Sequence, residues 1–265
     1  MKISVSIIIV ATNELALLRA CIHAITRVST KIPFELIVIN NTSSDDTDKY
    51  LKHLQPSFPL RIITNTTRGG FAANCNKGIR RASGKYFFLL NPDTRIYHDT
   101  IDVLFHFMEH HHSAGICAPK LINIDGSLQF SCRRFPTWKS FIFRRTPLRT
   151  LFSNTTMNNH HLMKDTNHAL TQKVDWLLGG CMFIRKKMID HIGPLDKAFF
   201  LYIDDIDICY RAWKAKWEVW YVPVTQVLHH HMAKSDKVLW SIYSLHHIQS
   251  AARFVLKHGL ALHRK

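Results

Sequence analysis

The chain has 265 residues, with 35 Lys and Arg against 19 Asp and Glu, which gives a formal net charge of +16. With 46% hydrophobic and 20% charged residues, the composition excludes an intrinsically disordered or collagen-like chain. Apolar runs reach only the length of a strand, so no membrane span is expected. The apolar segment after Lys2 breaks at Asn13-Glu14 without a small-residue cleavage site, so we do not expect it to be a signal peptide.

Cysteine usage and charge indicate a compartment and a class of partner. The six cysteines are scattered without any Cys-x-x-Cys pair, which favours buried reduced thiols and a cytoplasmic location over disulfides or a zinc site. The positive charge predicts an anionic partner, and the candidates are nucleic acid, an anionic membrane surface and a phosphorylated substrate. A basic surface that serves solubility alone is the alternative.

The first 120 residues alternate short apolar runs with helical stretches. The runs are continuous, which is typical of strands that are covered on both faces in a parallel α/β sheet. The predicted strands are Ser4–Val10, Phe34–Ile39, Leu60–Thr64, Tyr86–Leu90 and Gly115–Ala118. The predicted helices cover about residues 14–27, 45–54, 71–82 and 98–111. Since ligands bind beyond the carboxyl ends of such strands, residues that directly follow a strand are candidates for a site.

The rest of the chain breaks this rhythm. Turn residues predict a hairpin of Leu121–Ile124 with Leu128–Ser131. Residues 138–152 (WKSFIFRRTPLRTLF) mix aromatic and basic side chains, and the polar stretch 154–171 predicts a loop. The elements expected after it are Val174–Ile184, a helix over Asp205–Lys216, strands at Glu218–Val222 and Gln226–His229, and a terminal helix at about 238–257.

The first acidic candidate is Asp93, in the sequence Asn91-Pro92-Asp93-Thr94 directly after a predicted strand. A carboxylate at the end of a strand can hold Mg²⁺ or Mn²⁺ against a diphosphate, because both ions prefer oxygen ligands. A turn that caps the following helix is the alternative interpretation of these four residues.

The second acidic candidate is Asp204-Asp205-Ile206-Asp207, which follows an aromatic run. A helix N-terminus and pairing of Asp207 with Arg211 would offset the repulsion among these carboxylates. Apolar surroundings raise the pKa of a carboxyl group, as a general base requires. A solvated capping cluster is the alternative.

Two further features point to ligands. Gly69–Gly78 places small residues at the start of a helix, which lets a backbone approach a nucleotide, although it matches no phosphate-binding motif. His229 follows a predicted strand downstream of the acidic cluster, where its imidazole would complete a metal site. The triplet His110–His112 at a helix end is expected to be solvated.

Taken in chain order, the motifs resemble glycosyltransferase family 2, in its bacterial rhamnosyltransferase-like branch. The resemblance covers about residues 2–235, through VSIIIVATN (5–13), VINNTSSDDT (38–47), GFAANCNKG (70–78), LNPDT (90–94), PKL (119–121), DGSLQFSCRRFP (125–136), DWLLGG (175–180), GPLDKAFFLYIDDIDICYR (193–211), 217–223 and His229. It implies a GT-A fold of the α/β class, which has a Rossmann-like, mostly parallel central sheet flanked by helices, a small antiparallel addition and a C-terminal helix.

The resemblance also implies a domain organisation. A GT-A glycosyltransferase domain would occupy residues 1–235. Its nucleotide-binding half would be 1–118, and its acceptor and catalytic half would be 119–235, with the basic, aromatic loop at 138–173. Residues 236–265 would form a C-terminal helical extension.

The resemblance implies roles for individual residues. The donor nucleotide is assigned to Ala11, Thr12, Asn13, Glu14, Asn41, Gly70, Phe71, Asn74, Asn76, Lys77, Asn91 and Asp93. Asp205, with its neighbour Asp204, is assigned to the general base, and Asp93 and His229 to a divalent metal, Mg²⁺ or Mn²⁺. The donor-sugar and acceptor side is assigned to Asp175, Trp176, Gly179, Arg133 and Arg134.

The activity that the resemblance implies is an inverting sugar transfer in bacterial cell-surface polysaccharide synthesis. The donor would be a dTDP- or UDP-linked sugar, with rhamnose suggested by the branch, and the acceptor a hydroxyl group of a glycan or a lipid-diphosphate-linked molecule. The charge and the segment 138–152, including its arginines at 144, 145 and 149, predict peripheral contact with an anionic inner membrane.

Three positions depart from the family pattern and leave other functions open. Asn40 stands where the family usually has Asp, Asn91 where it has the first metal-motif acid, and Arg68 where it has Asn. A catalytically inactive member that acts as a binding scaffold is one alternative. A basic nucleic-acid-binding protein is another, but no nucleic-acid-binding module is recognisable, so no nucleic acid is expected as a partner.

Overall fold

The computed structural model describes residues 2–136, 155–230 and 242–259. Its strands are β1 (Val5–Ala11), β2 (Phe34–Asn40), β3 (Leu60–Thr64), β4 (Tyr86–Leu90), β5 (Thr94–Ile96), β6 (Ala114–Ile122), β7 (Leu128–Gln129), β8 (Cys132–Arg133), β9 (Gln172–Lys173), β10 (Trp176–Leu177), β11 (Cys181–Arg185) and β12 (Glu218–His229). Its helices are α1 (Leu15–Thr26), α2 (Thr47–Lys52), α3 (Phe71–Arg81), α4 (Thr100–His110), α5 (Thr156–His161), α6 (Lys186–Ile192), α7 (Asp204–Lys214) and α8 (Ile242–His258). The predicted membrane-contacting segment 138–152 lies outside the described residues, as do 231–241 and 260–265.

The central sheet of the described residues has the strand order β3-β2-β1-β4-β11-β6-β12-β5. The pairs β3–β2, β2–β1 and β1–β4 are parallel, and so is the pair β6–β12. β11 runs antiparallel between β4 and β6, and β5 antiparallel to β12. β8 and β10 form a small antiparallel sheet of their own. The predicted mostly parallel sheet with a small antiparallel addition is therefore confirmed.

The apolar strands separate two hydrophobic cores. Alternate side chains of a strand point to opposite faces, so Ile8 joins a core with residues of α3 and α7, whereas Ile7 and Ile9 join a core with residues of α1 and α4. This two-sided burial explains why the runs are continuous and not alternating. None of the helices in the described part of the chain combines the length and the apolar character that crossing a bilayer requires.

Strand β12 differs from the sequence prediction of two separate strands. It runs unbroken over Glu218–His229, but its register against β6 shifts between Val222 and Gln226. Pro223 lies in the shifted part, and a proline has no N–H for the ladder, so a bulge replaces the expected break.

The predicted loop over residues 154–171 is also corrected, because it contains helix α5. The Thr155 hydroxyl accepts a hydrogen bond from the Asn158 N–H at 3.3 Å and so caps the first turn. The predicted hairpin is confirmed in β6 and β7, where Leu121 pairs with Gln129.

All six cysteines are buried and unbridged, as the sequence predicts. Burial raises the pKa of the Cys21 thiol to about 12, so this thiol stays protonated at neutral pH. The cysteines therefore act as small core residues.

Arg185, at the end of β11, joins the sheet to the C-terminal end of α4. Its guanidinium donates to the carbonyls of Ala114, Met108 and His111 at 2.7, 2.7 and 2.9 Å and to the Tyr86 hydroxyl at 3.0 Å. The Met108 carbonyl lies in the last turn of α4, where the helix supplies no backbone N–H for it, and the His111 carbonyl also accepts the Ala114 N–H at 3.0 Å. Arg185 is only 6% exposed, so no water could replace it without a rearrangement.

We expect Arg185→Met to lower the free energy of unfolding by about 3 kcal/mol, because buried carbonyls lose their donors. Urea denaturation at neutral pH measures this change. Lys186→Met is the matched control, since Lys186 makes an exposed ion pair with Asp190, which contributes about 0.5 kcal/mol or less. Equal effects of the two substitutions would contradict a structural role for Arg185.

Candidate active site

The carboxyl ends of the parallel strands meet at one edge of the sheet. Ala11 is in register with Asn40, and Asn40 with Thr64. Because these strands are parallel, the residues that follow them converge at this edge. Most of the sequence-predicted donor residues lie there, directly after β1, β2 and β4 or at the start of α3.

Asp93 and His229 are brought together by strand pairing. Asp93 immediately precedes β5, and in the β5–β12 ladder Thr94 is opposite His229. The His230 N–H donates to the Asp93 carbonyl at 2.8 Å. Nε2 of His229 then lies 3.3 Å from Oδ1 of Asp93.

The chemistry of this pair fits a divalent metal ion. Oδ1 of Asp93 is buried and accepts no hydrogen bond from any described residue. Nδ1 of His229 lies 2.6 Å from Oε1 of Gln129, and since an amide oxygen only accepts, Nδ1 carries a proton, which leaves the lone pair of the neutral imidazole on Nε2. A lone pair and a carboxylate oxygen therefore face each other at 3.3 Å. Two neighbouring ligands of an octahedral ion with bonds of about 2.1 Å lie roughly 3 Å apart.

This pair alone does not make a complete protein cage. Within the described ranges, no group of three or more His, Cys, Asp or Glu side chains is arranged around a common centre for a metal. A hard cation bound by one or two protein side chains typically takes its remaining ligands from water and substrate phosphates.

Asp205 lies in the first turn of α7. Its Oδ2 accepts the Gly179 N–H at 3.1 Å, and its Oδ1 accepts the N–H of Ile206 at 2.9 Å. The carboxylate is only partly buried, so it combines fixed orientation with access to a ligand.

The turn between β10 and β11 brings Asp205 and the Asp93–His229 pair to one place. A Cβ on Gly179 would lie 3.3 Å from the Cβ of Asp205, and a Cβ on Gly180 would lie 3.3 Å from Nε2 of His229. Consecutive Cα atoms are about 3.8 Å apart. Asp205 and the Asp93–His229 pair therefore lie on either side of this one pair of glycines. The predicted Gly179 is thus in the site, and the sequence interpretation missed Gly180 and Gln129.

The three carboxylates of α7 have different environments. Burial, and next the charge of Asp205, raises the pKa of Asp204 well above its usual range. Burial also raises the pKa of Asp205, although hydrogen bonds from the Gly179 and Ile206 N–H groups and the charge of Arg133 oppose the rise. The pKa of Asp207 is lowered, because the charge of Arg211 and bonds from His258 and Lys257 outweigh its burial. The predicted i, i+4 pair is present, with Arg211 Nε 2.7 Å from Asp207 Oδ2.

A network of amide side chains braces the loop that precedes α3. Oδ1 of Asn41 accepts the Gly69 N–H and an N–H of Asn65, both at 2.9 Å. Nδ2 of Asn65 also contacts Oδ1 of Asn74 at 2.7 Å, and Lys77 Nζ donates to Oδ1 of Asn65 at 2.6 Å. These predicted donor residues therefore position the loop, and Asn65, which also follows a strand, was missed.

The glycine at the start of α3 accommodates another part of the chain. A Cβ on Gly70 would lie 2.6 Å from the Phe200 carbonyl oxygen, and that oxygen accepts the Phe71 N–H at 2.9 Å. The sequence interpretation expected small residues here to admit a nucleotide. In the structure the close approach is made by residue 200.

The other predicted donor residues lie in different places, some at the sheet edge and one inside the protein. Oδ1 of Asn13 accepts the Ser44 N–H at 2.6 Å, so the loops after β1 and β2 are joined. Asn76 is buried, and its side chain exchanges two hydrogen bonds with the Leu195 backbone, at 2.6 and 3.1 Å. The structure therefore does not bring Asn76 to the sheet edge. The Thr12 hydroxyl accepts an N–H of the Asn41 side chain at 3.2 Å, and Glu14 immediately precedes α1.

A carboxylate lies beside Asn40, the residue that replaces the usual Asp of the family pattern. Nδ2 of Asn40 is 3.4 Å from Oδ1 of Asp48, and the Thr64 hydroxyl is also 3.4 Å from that oxygen. A negative charge is thus present next to the position where the family pattern would supply one.

The predicted sugar-side residues pack against one another, and the side chains of some of them stabilise this packing. Trp176 is buried and donates to the Arg134 carbonyl at 2.9 Å, and Oδ2 of Asp175 accepts the Phe135 N–H at 2.6 Å. The Arg134 guanidinium is held by Asp165 at 2.7 Å. Arg133 lies over the Trp176 ring at 5.2 Å and close enough to influence Asp205. Of the two arginines, Arg133 is therefore the one that faces the site.

Comparison with known proteins identifies relatives of this arrangement. The family model described as "Glycosyl transferase family 2" matches residues 6–193. An N-acetylglucosaminyl-diphospho-decaprenol L-rhamnosyltransferase of Mycobacterium tuberculosis (strain CDC 1551 / Oshkosh) is 23% identical over 238 residues, covering 83% of this chain and 74% of the relative. Rhamnosyltransferase WbbL of Escherichia coli (strain K12) is 26% identical over 205 residues, covering 74% and 73%.

A solved structure supports the fold. The crystal structure of GalNAc-T7 with UDP, GalNAc and Mn²⁺ superposes with a TM-score of 0.69 at 17% identity. The match covers 96% of this chain but 48% of that protein, so the chain spans about half its length. The predicted GT-A architecture is confirmed by this likeness.

The opposite pKa shifts of two buried acids predict opposite effects on stability. Because the fold favours the neutral form of Asp204, its ionisation costs stability as the pH rises, and Asp204→Asn should raise the free energy of unfolding by about 1 kcal/mol at pH 7–8. Because the fold favours ionised Asp207, Asp207→Asn should lower that energy by about 3 kcal/mol at neutral pH.

Both differences should shrink as the pH falls toward 4 and below, where the carboxyl groups protonate in the unfolded chain. Urea denaturation at a series of pH values measures them. The same sign for the two variants at neutral pH would contradict the assignment of their environments.

Proposed function

This chain belongs to glycosyl transferase family 2, and we propose that it is an inverting glycosyltransferase in the synthesis of a cell-surface glycan. The observation that carries the proposal is the convergence of Asp205 and the Asp93–His229 pair on Gly179 and Gly180. An inverting displacement needs a base on one side of the reacting carbon and stabilisation of the leaving group on the other. In this proposal Asp205 is the base, and a cation held by Asp93 and His229 would stabilise the leaving group.

Asp205 is the proposed general base. It would take the proton from an acceptor hydroxyl group as that oxygen attacks the anomeric carbon and the bond to the diphosphate breaks. Its raised pKa favours proton transfer. The Gly179 N–H fixes the carboxylate through Oδ2, and Asp204, which is buried and favoured in its neutral form, keeps negative charge next to Asp205 low.

Asp93 and His229 are the proposed holders of Mg²⁺ or Mn²⁺. Such a cation, when bound, would stabilise the negative charge that develops on a nucleoside diphosphate. Asp93 supplies a hard oxygen ligand, and Gln129 keeps the lone pair of His229 on Nε2. Asn91 lies between the two sites through its N–H bond to the Gly180 carbonyl at 2.9 Å.

The donor and acceptor are proposed from the relatives. The two relatives described above are named rhamnosyltransferases. We therefore propose a dTDP- or UDP-linked sugar as the donor, and rhamnose as the first sugar to test. The name of the mycobacterial relative contains a lipid-diphosphate acceptor, and we propose an acceptor of this class or a glycan at the cytoplasmic face of a membrane. Arg133 is the described cation that would face the acceptor or its phosphates.

We expect Asp205→Asn to reduce transfer by roughly 10²–10⁴-fold while donor binding is retained, because the base is lost and the fold is kept. Transfer is measured as release of nucleoside diphosphate from dTDP-rhamnose with a lipid-diphosphate acceptor. Asp190→Asn, on the exposed face of α6, is the control. Near-normal turnover by Asp205→Asn would remove Asp205 from the role.

We expect Mn²⁺ to raise the melting temperature in the presence of a nucleotide sugar, since a ligand that binds only the native state stabilises it. The screen compares dTDP-rhamnose, UDP-linked and GDP-linked sugars with and without Mn²⁺. Asp93→Ala and His229→Ala should lose the metal-dependent shift, whereas His98→Ala, an exposed residue, should keep it. A full shift in both site variants would contradict the metal assignment.

A further inference from the structure

The C-terminal helix α8 is fastened to the segment that leads into the catalytic acids. This segment, residues 199–203, immediately precedes α7. The Ser250 hydroxyl donates to the Leu201 carbonyl at 2.9 Å. The rings of Phe200 and His246 stack with centroids 4.7 Å apart, and those of Tyr202 and His247 with centroids 5.1 Å apart.

A buried charge cluster fastens the same helix to α7. Asp207 is fully buried, and its Oδ1 lies 2.8 Å from Lys257 Nζ and 2.7 Å from His258 Nε2. Its Oδ2 is bound by Arg211 of its own helix. A buried carboxylate is tolerated only when charged or polar partners surround it, and among the contacts described here two of the three partners come from α8.

The 199–203 segment is held in an unfavourable backbone conformation. Tyr202 and Ile203 have φ angles of 66° and 70°, a left-handed region that a β-branched residue such as Ile rarely adopts. Such residues persist only where the surrounding structure determines their conformation. The contacts from α8 are part of that surrounding structure.

The same segment also contacts the donor side of the site. The Phe200 carbonyl accepts the Phe71 N–H at the start of α3 and lies against Gly70. The segment therefore joins three elements: α3, α7 with Asp205, and α8.

We propose that Lys257 and His258 are positioning residues for the general base. Lys257 offsets the charge of Asp207 and His258 donates a hydrogen bond to it, and together they dock α8 onto residues 199–203, which keeps the first turn of α7 at the angle that places Asp205 on the Gly179 N–H. This inference rests on the proposed function only in taking Asp205 as the base. The proposal gives neither residue a contact with substrate.

The test is a double variant, Lys257→Met with His258→Phe, which removes both α8 partners of Asp207 and keeps the side-chain volume. We expect turnover to fall by about 10–100-fold, since a displacement of about 1 Å costs this much. The donor KM should change by less than about threefold, because Asp93 and His229 depend on the β5–β12 ladder. Hydrogen exchange should become faster at the Phe71 amide and across residues 204–207.

Two further variants separate positioning from general destabilisation. His258→Gln keeps an N–H donor for Asp207 and should retain turnover, whereas His258→Phe alone keeps the ring contacts with Tyr210 and Phe254 but should lose it. Lys186→Met is the exposed control and should leave both turnover and exchange unchanged. If the double variant does not fold, the two single His258 variants decide the question.

Unchanged turnover and exchange in the double variant would overturn the proposal, as would equal losses in His258→Gln and His258→Phe. A fall in turnover carried entirely by donor KM would also overturn it. If the wild-type protein transfers no sugar, the proposed function fails. The exchange rates would then still show whether α8 fixes the first turn of α7.

Discussion

The lack of side chains at Gly179 and Gly180 is the constraint on which the candidate site depends. Any Cβ at Gly180 would come within 3.1 Å of Nδ2 of Asn91 and 3.3 Å of the His229 ring, and one at Gly179 within 3.3 Å of Asp205. A side chain at either position would therefore push Asp205, Asn91 or His229 away by a few tenths of an ångström, and glycine lets the turn between β10 and β11 lie between β4, β12 and α7 without moving them. It gives its backbone N–H to Asp205 and its carbonyl to the Asn91 N–H, so one turn fixes the distance between two acids that are far apart in the chain.

The three carboxylates of α7 have pKa values that shift in opposite directions, although they belong to the same helix turn. Asp204 and Asp205 are desolvated with few compensating charges, and their pKa values rise. Asp207 is fully buried, but Arg211, Lys257 and His258 surround it, and its pKa falls. A helix N-terminus favours all three ionised forms, so it does not produce the difference. The difference arises from Arg211, one turn further along α7, and from Lys257 and His258 of α8, which reach Asp207 but not the other two carboxylates.

The sequence predicts β1 to β4 within a residue or so, and it locates the two candidate acids after a strand and at the start of a helix, because both features follow local rules. Continuous apolar runs identify two-sided strands, and Asp93 and Asp205 stand where a strand ends and where a helix begins. Asn65 obeys the same rule after β3, and applying it consistently would have found that residue. The partners of a polar side chain depend on tertiary packing, so Asn76, which binds the Leu195 backbone, could not be told from a ligand-binding amide. Gln129 and Phe200 carry no local signal for the same reason.

The family match and the geometry support different parts of the site. The matched residues 6–193 include Asp93, Gly179 and Gly180 but end before α7 and β12. The proposed general base and the proposed metal-binding histidine are therefore inferred from their contacts with the matched part: Asp205 with the Gly179 N–H and His229 with Asp93. Because Tyr202 and Ile203 are held in a left-handed conformation directly before α7, that helix would not keep its position through local propensity alone. Its position follows from contacts on both sides, with α3 through Phe200 and with α8 through Asp207, which makes α8 part of the framework that holds the candidate active site.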